Sequence, residues 1–156
     1  MAVEKTLILL KPDALQRGLV GKIISRLEGR GLQIVGMKML KLGQAECDEH
    51  YAHLKDKPFY PKLAEFMTSA PVIAMVVQGA EAVKIARNMC GPTNAREAPA
   101  GTIRGDFSLS TQYNVIHASD SLETANKEIA RFFKKDELHE WKRALDAYTA
   151  ATDEKK

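Results

Sequence analysis

Two long apolar segments constrain the fold of this chain more than any other part of the sequence. One is the run TLILL, Thr6–Leu10, and the other is PVIAMVV, Pro71–Val77. Strands that are buried on both faces carry such unbroken apolar runs, whereas strands with one solvated face alternate apolar and polar residues. The two segments therefore predict the central strands of one sheet. Two further segments, Leu32–Leu40 and Tyr113–His117, predict additional strands.

Segments with helical periodicity separate these strands. Apolar residues recur at intervals of three and four positions in the segments 20–28, 44–54, 60–69 and 81–90. Asp120 with Glu123 resembles a capping box that opens another helix. That helix is expected to place one apolar face toward the core, formed by Leu122, Ala125, Ile129, Phe132 and Phe133. A shorter helix is predicted over Glu137–Tyr148.

The order of these elements indicates the fold class. Without the helical pair at 44–69, the order is that of an α+β, ferredoxin-like βαββαβ fold with a four-stranded antiparallel sheet. The segment 91–112 is then a long irregular loop before the last strand, and loops of this length are usually functional or disordered. Helices are expected on one sheet face, and either the inserted elements or a partner subunit must cover the other. We expect a single domain over 1–156.

Composition excludes several classes of protein. The net charge of +3 is too small to suggest a nucleic-acid-binding domain. The two cysteines cannot form a disulfide framework, which indicates a reducing compartment. No apolar run is long enough to span a membrane, and charged residues interrupt the apolar ones at the N-terminus, so no signal peptide is predicted. The expected location is the cytoplasm.

His117 is the first candidate for chemistry. A histidine at a strand end is more often structural than catalytic, but this one also precedes a helix start, where exposed N–H groups attract phosphate. Glu128, about two turns into that helix, is placed to reach back toward the strand end. A carboxylate on one imidazole nitrogen leaves the other nitrogen free to react. Ser119 offers a hydroxyl, although capping of the helix explains it equally well.

Three cations at the ends of elements are candidates for binding phosphate groups. They are Lys11, Arg87 and Arg104, and together they would suit a polyphosphate. A P-loop is absent, and GRGLQI at 29–34 fails the dinucleotide-binding pattern at its last position. Cys47, His50 and His53 share a helix face by spacing and permit a zinc interpretation. No fourth ligand follows nearby, so a surface helix is the favoured interpretation.

Five separated motifs resemble the nucleoside diphosphate kinase family. They occur in the family's order and are TLILLKPDALQRGLVGKII at 6–24, HYAHLKDKPFY at 50–60, GPTNA at 91–95, GTIRGDF at 101–107 and NVIHASDS at 114–121. The resemblance runs from about Val3 to Phe133. It implies transfer of the terminal phosphoryl group of a nucleoside triphosphate to a nucleoside diphosphate by a ping-pong mechanism. The intermediate would be a phosphohistidine at His117, formed on Nδ1.

The resemblance also implies roles for other residues. Glu128 and Ser119 would orient the imidazole, and Arg87, Thr93 and Arg104 would hold phosphates. Lys11 and Asn114 would bind the ribose hydroxyls, and Lys11 would also meet the transferred group. The remaining nucleotide contacts would come from Tyr51, from Phe59 stacked on the base, and from Leu63. An aromatic face stacks on any base, which predicts low base specificity. Mg²⁺ would arrive on the nucleotide, held by phosphates and water.

Two positions depart from the family pattern. Ala118 stands where glycine is common, and it would cost on the order of 1 kcal/mol if the backbone there needs positive φ. Ala95 stands where proline is common, and its presence is expected to loosen a loop between subunits. The family forms hexamers or tetramers, and the long segment after Phe133 favours a hexamer.

Two alternatives from other classes remain at this stage. RNA-recognition domains use the same strand order, but they need aromatic residues on the first and third strands, and neither apolar run contains one. A small-molecule-sensing or scaffolding oligomer with a structural His117 is the second alternative. It would leave Lys11, Arg87, Arg104 and Asn114 unexplained as a set.

Overall fold

The sheet has four antiparallel strands, as the sequence predicts. The structure is a computed structural model that describes residues 3–144, 146–149 and 151. The strands are β1 (Val3–Leu10), β2 (Gln33–Leu40), β3 (Val72–Ala80) and β4 (Ile116–Ala118). Their spatial order is β2-β3-β1-β4, so the two continuous apolar runs are the central strands. The predicted α+β, ferredoxin-like class is confirmed.

Seven α-helices surround the sheet within the described part of the chain. They are α1 (Pro12–Gln16), α2 (Val20–Gly29), α3 (Gln44–His50), α4 (Tyr60–Ser69), α5 (Ala82–Cys90), α6 (Ile103–Phe107) and α7 (Leu122–Phe132). Pro12 ends β1 and occupies the first position of α1, where its missing N–H is harmless. The predicted helix 44–54 is shorter than expected, because α3 ends at His50 and a single 3₁₀ turn, Ala52–Leu54, follows.

Both faces of the sheet are covered by helices. Alternate residues of β1 point to opposite sides: Leu7 and Leu9 join one buried cluster, and Ile8 and Leu10 join the other. The first cluster includes residues of α3, α4 and α7, and the second includes residues of α1, α2, α5 and α6. The inserted helices α3 and α4, together with α7, therefore cover one face of the sheet, and α1, α2, α5 and α6 cover the other. Within the residues that the structure describes, this covering leaves no open sheet face on which RNA bases could stack.

The last strand is shifted from its predicted position. The sequence predicts Tyr113–His117, but β4 comprises Ile116–Ala118. Val115 has a φ of +59°, and its neighbours close a γ-turn in which the Ile116 N–H donates to the Asn114 carbonyl at 2.7 Å. A strand cannot continue through this backbone conformation, so β4 starts at Ile116, one residue after Val115.

The start of α7 differs in two details from the prediction. Ser121, and not Asp120, is the N-cap residue, and its hydroxyl accepts from the Thr124 N–H at 3.1 Å. Leu122 does not belong to the buried face, since 47% of it is exposed. Ala125, Ile129, Phe132 and Phe133 are buried as expected.

The predicted helix Glu137–Tyr148 is wrong. The described residues there form only two 3₁₀ turns, Lys135–Glu137 and Asp146–Tyr148. Between them the chain binds to β2 and its vicinity instead: the His139 N–H donates to the Val35 carbonyl at 2.7 Å, and the Trp141 carbonyl accepts from the Gln33 side chain at 2.6 Å. These tertiary bonds replace the bonds of a helix.

The long segment 91–112 is more ordered than its composition suggests. It contains a 3₁₀ turn, Ala95–Glu97, and the short helix α6. The Asn94 side chain accepts from the Arg96 N–H at 3.3 Å and donates to Glu97 at 2.8 Å, so it caps the first turn. Gly105 is required in α6, because a Cβ there would lie 2.0 Å from the Pro99 carbonyl oxygen.

Among the described residues, none of the helices has the length and apolar character needed to cross a bilayer.

The loop at Ala95 offers a test of the departure from the family pattern. Ala95 is buried at the first position of its turn, and Asn94 before it is extended, with φ −75° and ψ 101°. A proline suits the first position of a helical turn, and an extended residue suits the position before proline. We expect Ala95→Pro to raise the free energy of unfolding by about 0.4–1 kcal/mol, measured by urea denaturation. A lower free energy would show that the buried site cannot accept the ring.

Candidate active site

A pocket of about 610 Å³ opens where β4 meets the inserted helices. Apart from Ser119, every residue to which the sequence assigns a catalytic or nucleotide-binding role lines it. These residues are Lys11, Tyr51, Phe59, Leu63, Arg87, Thr93, Arg104, Asn114, His117 and Glu128. Ser119 is fully buried beneath the pocket and contacts Glu128. The fold thus brings together residues that are spread over most of the chain.

His117 is held at one ring nitrogen. It pairs with Leu9 across β1 and β4, so it faces the side of the inserted helices, while Ile116 and Ala118 face the opposite cluster. Its Nε2 lies 3.1 Å from both carboxylate oxygens of Glu128. This contact favours the tautomer with the proton on Nε2, which leaves Nδ1 with a free lone pair.

Glu128 is itself fixed by a second donor. The Ser119 hydroxyl donates to Glu128 Oε2 at 2.6 Å, and the Ser119 oxygen accepts from the Leu7 N–H at 3.3 Å. Burial by itself would raise the pKa of Glu128, but the bond and the charge of His117 and the Ser119 hydroxyl outweigh burial and lower it. The carboxylate is therefore ionised at neutral pH and stabilises positive charge on the imidazole.

Three cations converge on the pocket. The Lys11 ammonium donates to the Asn114 side chain at 2.6 Å, and burial, with a smaller contribution from Arg104, lowers its pKa to about 8. The Arg104 guanidinium donates to the carbonyls of Gly91 at 2.8 Å and Ile116 at 2.6 Å, and its Nε has no partner among the described residues. Arg87 donates to the Ala118 carbonyl at 3.3 Å. These charges favour an anionic ligand.

The backbone before β4 is strained and clamped. Positive φ is rare for a β-branched residue such as Val115 and costs about 1–3 kcal/mol. Both ends of this residue are bonded to the segment after β1: the Asp13 carboxylate accepts from the Val115 N–H at 3.1 Å, and the Lys11 N–H donates to the Val115 carbonyl at 2.9 Å. The clamp places Asn114 and His117 beside Lys11.

The entrance of the pocket is partly apolar. Phe59 is half exposed there, Leu63 is buried behind it, and the Tyr51 hydroxyl is buried without a partner among the described residues. Seven further residues line the pocket although the sequence assigns them no role in it, namely His53, Leu54, Thr111, Gln112, Ala118, Asp120 and Thr124. Four of them lie inside the motifs at 50–60 and 114–121, and the other three lie within three residues of the second motif, which is the signal that identifies them.

The zinc interpretation of Cys47, His50 and His53 finds no support in the geometry. Within the described ranges, the one group of three side chains close enough to share a metal ion is His50, His117 and Glu128, with ligand atoms within 4.8 Å of one another. Mg²⁺ prefers oxygen ligands and retains water, so a buried group of two imidazoles and one already bonded carboxylate does not suit it.

Ala118 does not incur the cost that a positive φ would impose on alanine. Ala118 lies in β4 and is not among the described residues with positive φ, so its backbone needs no glycine.

Comparisons with known proteins agree with this geometry. The family model described as "Nucleoside diphosphate kinase" matches residues 4–138. The nucleoside diphosphate kinase of Staphylothermus marinus is 53% identical over 141 residues, which are 90% of this chain and 100% of that protein. A mitochondrial nucleoside diphosphate kinase of Columba livia is 51% identical over 94% of this chain and 81% of that protein. The solved structure of a halophilic nucleoside diphosphate kinase from Halobacterium salinarum in complex with CDP has a TM-score of 0.93 and 44% identity, covering 96% of this chain and 99% of that one.

Replacement of Asp13 tests the clamp on Val115. In Asp13→Ala the buried Val115 N–H loses its acceptor, and we expect the free energy of unfolding to fall by about 1–3 kcal/mol. Asp13→Asn keeps an acceptor oxygen while losing the charge, so it serves as the matched control and should lose less than half as much. Urea denaturation measures both. Equal losses in the two variants would show that the charge of Asp13, and not its bond to Val115, stabilises the protein.

The lowered pKa of Lys11 makes stability depend on pH. In the unfolded chain this lysine keeps its ordinary pKa of 10.5, so between pH 8 and 10.5 the unfolded state binds the extra proton. Stability from Lys11 therefore rises with pH across this range. We expect the wild type to gain up to about 3 kcal/mol relative to Lys11→Met, measured by urea denaturation at a series of pH values. A difference that stays constant with pH would contradict this expectation.

Proposed function

The chain belongs to the nucleoside diphosphate kinase family and is a phosphotransferase, and we propose that it carries the terminal phosphoryl group from a nucleoside triphosphate to a nucleoside diphosphate on His117. The observation that supports this route best is the contact between His117 Nε2 and Glu128, at 3.1 Å to both oxygens. A ring bonded in this way has one nitrogen for support and one for attack.

The proposed reaction has two half-reactions. In the first, the Nδ1 lone pair of His117 forms a bond to the γ-phosphorus, and the bond to the β–γ bridging oxygen breaks. The nucleoside diphosphate then leaves with those electrons. The ring becomes cationic and keeps its proton on Nε2, where the Glu128 carboxylate stabilises it. In the second, a terminal β-phosphate oxygen of another nucleoside diphosphate attacks the same phosphorus, and the P–N bond returns its electrons to Nδ1.

The cations of the pocket supply the charge stabilisation that phosphoryl transfer requires. We assign Arg87, Thr93 and Arg104 to the phosphates, and Lys11 to the transferred group as well as to a ribose hydroxyl. The Nε of Arg104, which has no partner in the described part of the chain, supports its assignment, since a buried donor without an acceptor suits an anionic ligand. Mg²⁺ enters as part of the nucleotide substrate, bound by phosphates and water, and offsets phosphate charge there.

The remaining contacts would hold the nucleoside. Asn114 lies against Lys11 and is assigned to the ribose, and Tyr51 contributes a buried hydroxyl. Phe59 is assigned to the base, which it would cover with its ring, and Leu63 would line the same slot. A half-exposed ring at an open entrance stacks on a base without reading its edge, so low base specificity follows. The CDP complex of the Halobacterium salinarum relative shows that a family member binds a nucleoside diphosphate.

The assembly, the domain and the location complete the proposal. We propose a homo-oligomer, with a hexamer favoured over a tetramer, built from one domain that spans residues 1–156 and acts in the cytoplasm. The outer strand β2 supports assembly, because it is a sheet edge that exposes Met37 and Met39. Light scattering distinguishes six subunits from four.

Labelled nucleotide tests the phosphohistidine directly. We expect the protein, incubated with γ-labelled ATP and Mg²⁺ without an acceptor, to retain label that is labile to acid, stable to base and discharged by added nucleoside diphosphate. His117→Ala should retain none. Glu128→Gln keeps the size of the side chain but loses the charge opposite the cationic ring, so it should take up label about 10²–10³ times more slowly.

The controls separate catalysis from folding and binding. Circular dichroism and titration with a nucleoside diphosphate should show that all variants are folded and still bind nucleotide. A wild-type protein that binds nucleotide but takes up no label would refute the proposal and favour a nucleotide-sensing or scaffolding role.

A further inference from the structure

His50 is a buried histidine that the proposed reaction does not use. It is the last residue of α3, its side chain has no exposed surface, and it lies directly behind His117. We propose that His50 is a positioning residue that fixes the ring plane of His117, so that Nδ1 faces the phosphorus. This inference rests on the proposed function, since it concerns the same nucleophile.

Three aromatic contacts hold His50 in place. Its ring centroid is 4.7 Å from that of His117 at an interplanar angle of 79°, 4.5 Å from that of Tyr51 at 73°, and 5.2 Å from that of Phe132 at 74°. These edge-to-face arrangements are the favoured geometry for pairs of rings. Tyr51 and Phe132 pack against the His50 ring, which therefore cannot turn freely. The His117 imidazole packs against this fixed ring, so its own rotation is restricted as well.

Burial keeps His50 neutral, and its polar contacts leave Glu128 to His117. Burial, then the neighbouring His117, lowers the pKa of His50 to about 3, although the charge of Glu128 acts in the opposite direction. Arg131 Nη1 lies 3.4 Å from His50 Nδ1, which makes Nδ1 the acceptor and places the proton on Nε2. Glu128 Oε1 is 3.7 Å from the same Nδ1, too far for a good hydrogen bond. The charge of His53 lowers the pKa of His50 further.

The position of Arg131 distinguishes this role from metal binding. Two imidazoles and a carboxylate can form a metal site, and the ligand atoms here lie within 4.8 Å of one another. The Arg131 guanidinium, however, contacts His50 Nδ1 and is paired with Glu49 at 2.9 Å. A fixed positive charge beside one nitrogen of the His50 ring opposes a metal cation at that ring. The geometry therefore favours ring packing.

A fixed ring plane is needed because the contact with Glu128 restrains only one atom. An imidazole that is attached to the chain at Cγ and held at Nε2 can still turn about the axis through these two atoms. Its Nδ1 lone pair then points away from the line of attack on the phosphorus. Reacting atoms must be close and aligned for transfer, and small misplacements are costly in rate. His50 supplies the second restraint, against the ring itself.

Three variants test the proposal. His50→Ala removes the ring, and His50→Phe keeps a ring of similar shape without the nitrogens. Phe133→Leu is the matched control, since it also trims a buried ring of the same core cluster, whereas the rings that contact His50 are those of His117, Tyr51 and Phe132. For each we would measure the melting temperature, the affinity for a nucleoside diphosphate, and the single-turnover rate of phosphohistidine formation. Relaxation of the ¹⁵N and ¹³C signals of the His117 ring, recorded without nucleotide, measures the mobility of the ring itself.

The expected result separates positioning from stability. His50→Ala should slow phosphohistidine formation by at least about tenfold, with nucleotide affinity within about threefold, and its His117 ring signals should broaden. His50→Phe should stay within about threefold in rate, with sharp signals, even if His50→Ala is too unstable to assay. Phe133→Leu should lower the melting temperature without broadening the signals.

Three outcomes would overturn the inference. They are a wild-type rate and sharp ring signals in His50→Ala, a His50→Phe variant as slow as His50→Ala, and equal slowing in Phe133→Leu. The ring signals need no phosphoryl transfer, so they test His50 even if the wild type takes up no label. A wild type that takes up no label would refute the proposed function, but it would not refute the positioning of the ring.

Discussion

The bond network of the Glu128 carboxylate is the constraint on which the rest of the site depends. A buried carboxylate is costly unless donors surround it, and here His117 and Ser119 are those donors. The same contacts orient the imidazole and supply negative charge behind it. Because Ser119 is bonded to the backbone of β1 at Leu7, the network is anchored to the centre of the sheet. A rigid strand thus holds the group that must be aligned best.

The antiparallel pairing of β1 with β4 explains how distant residues reach one pocket. The chain leaves β1 at Lys11 and enters β4 after Val115, so the two ends are adjacent although about a hundred positions separate them. Bonds from Asp13 and Lys11 hold Val115 in an unfavourable conformation. Arg104 adds a third connection, from the loop before β4 to the carbonyl of Ile116. Local strain at Val115 is offset by these surrounding bonds.

Much of the fold was predictable from local pattern. The two apolar runs are the central strands, and the helix at Tyr60–Ser69 has the predicted bounds. The errors occurred where tertiary bonds replace local ones. Val115 shifts the last strand, and bonds of His139 and Trp141 to β2 replace the bonds of the predicted C-terminal helix. Periodicity carries no information about such partners.

The candidate site shows the same division. Resemblance to known motifs identified residues that do line one pocket, although their roles remain predictions. It did not identify the packing of His50 against His117, because spacing alone cannot show that the last turn of α3 ends behind β4.

The sequence by itself determined which two segments are the buried central strands, roughly where most of the helices lie, and which side chains carry charge. These properties follow from composition and periodicity along the chain. Only the tertiary structure decided which nitrogen of His117 is held, which cation is buried, and which helices cover each face of the sheet. Each of these depends on distances between residues far apart in sequence, and such distances are set by packing.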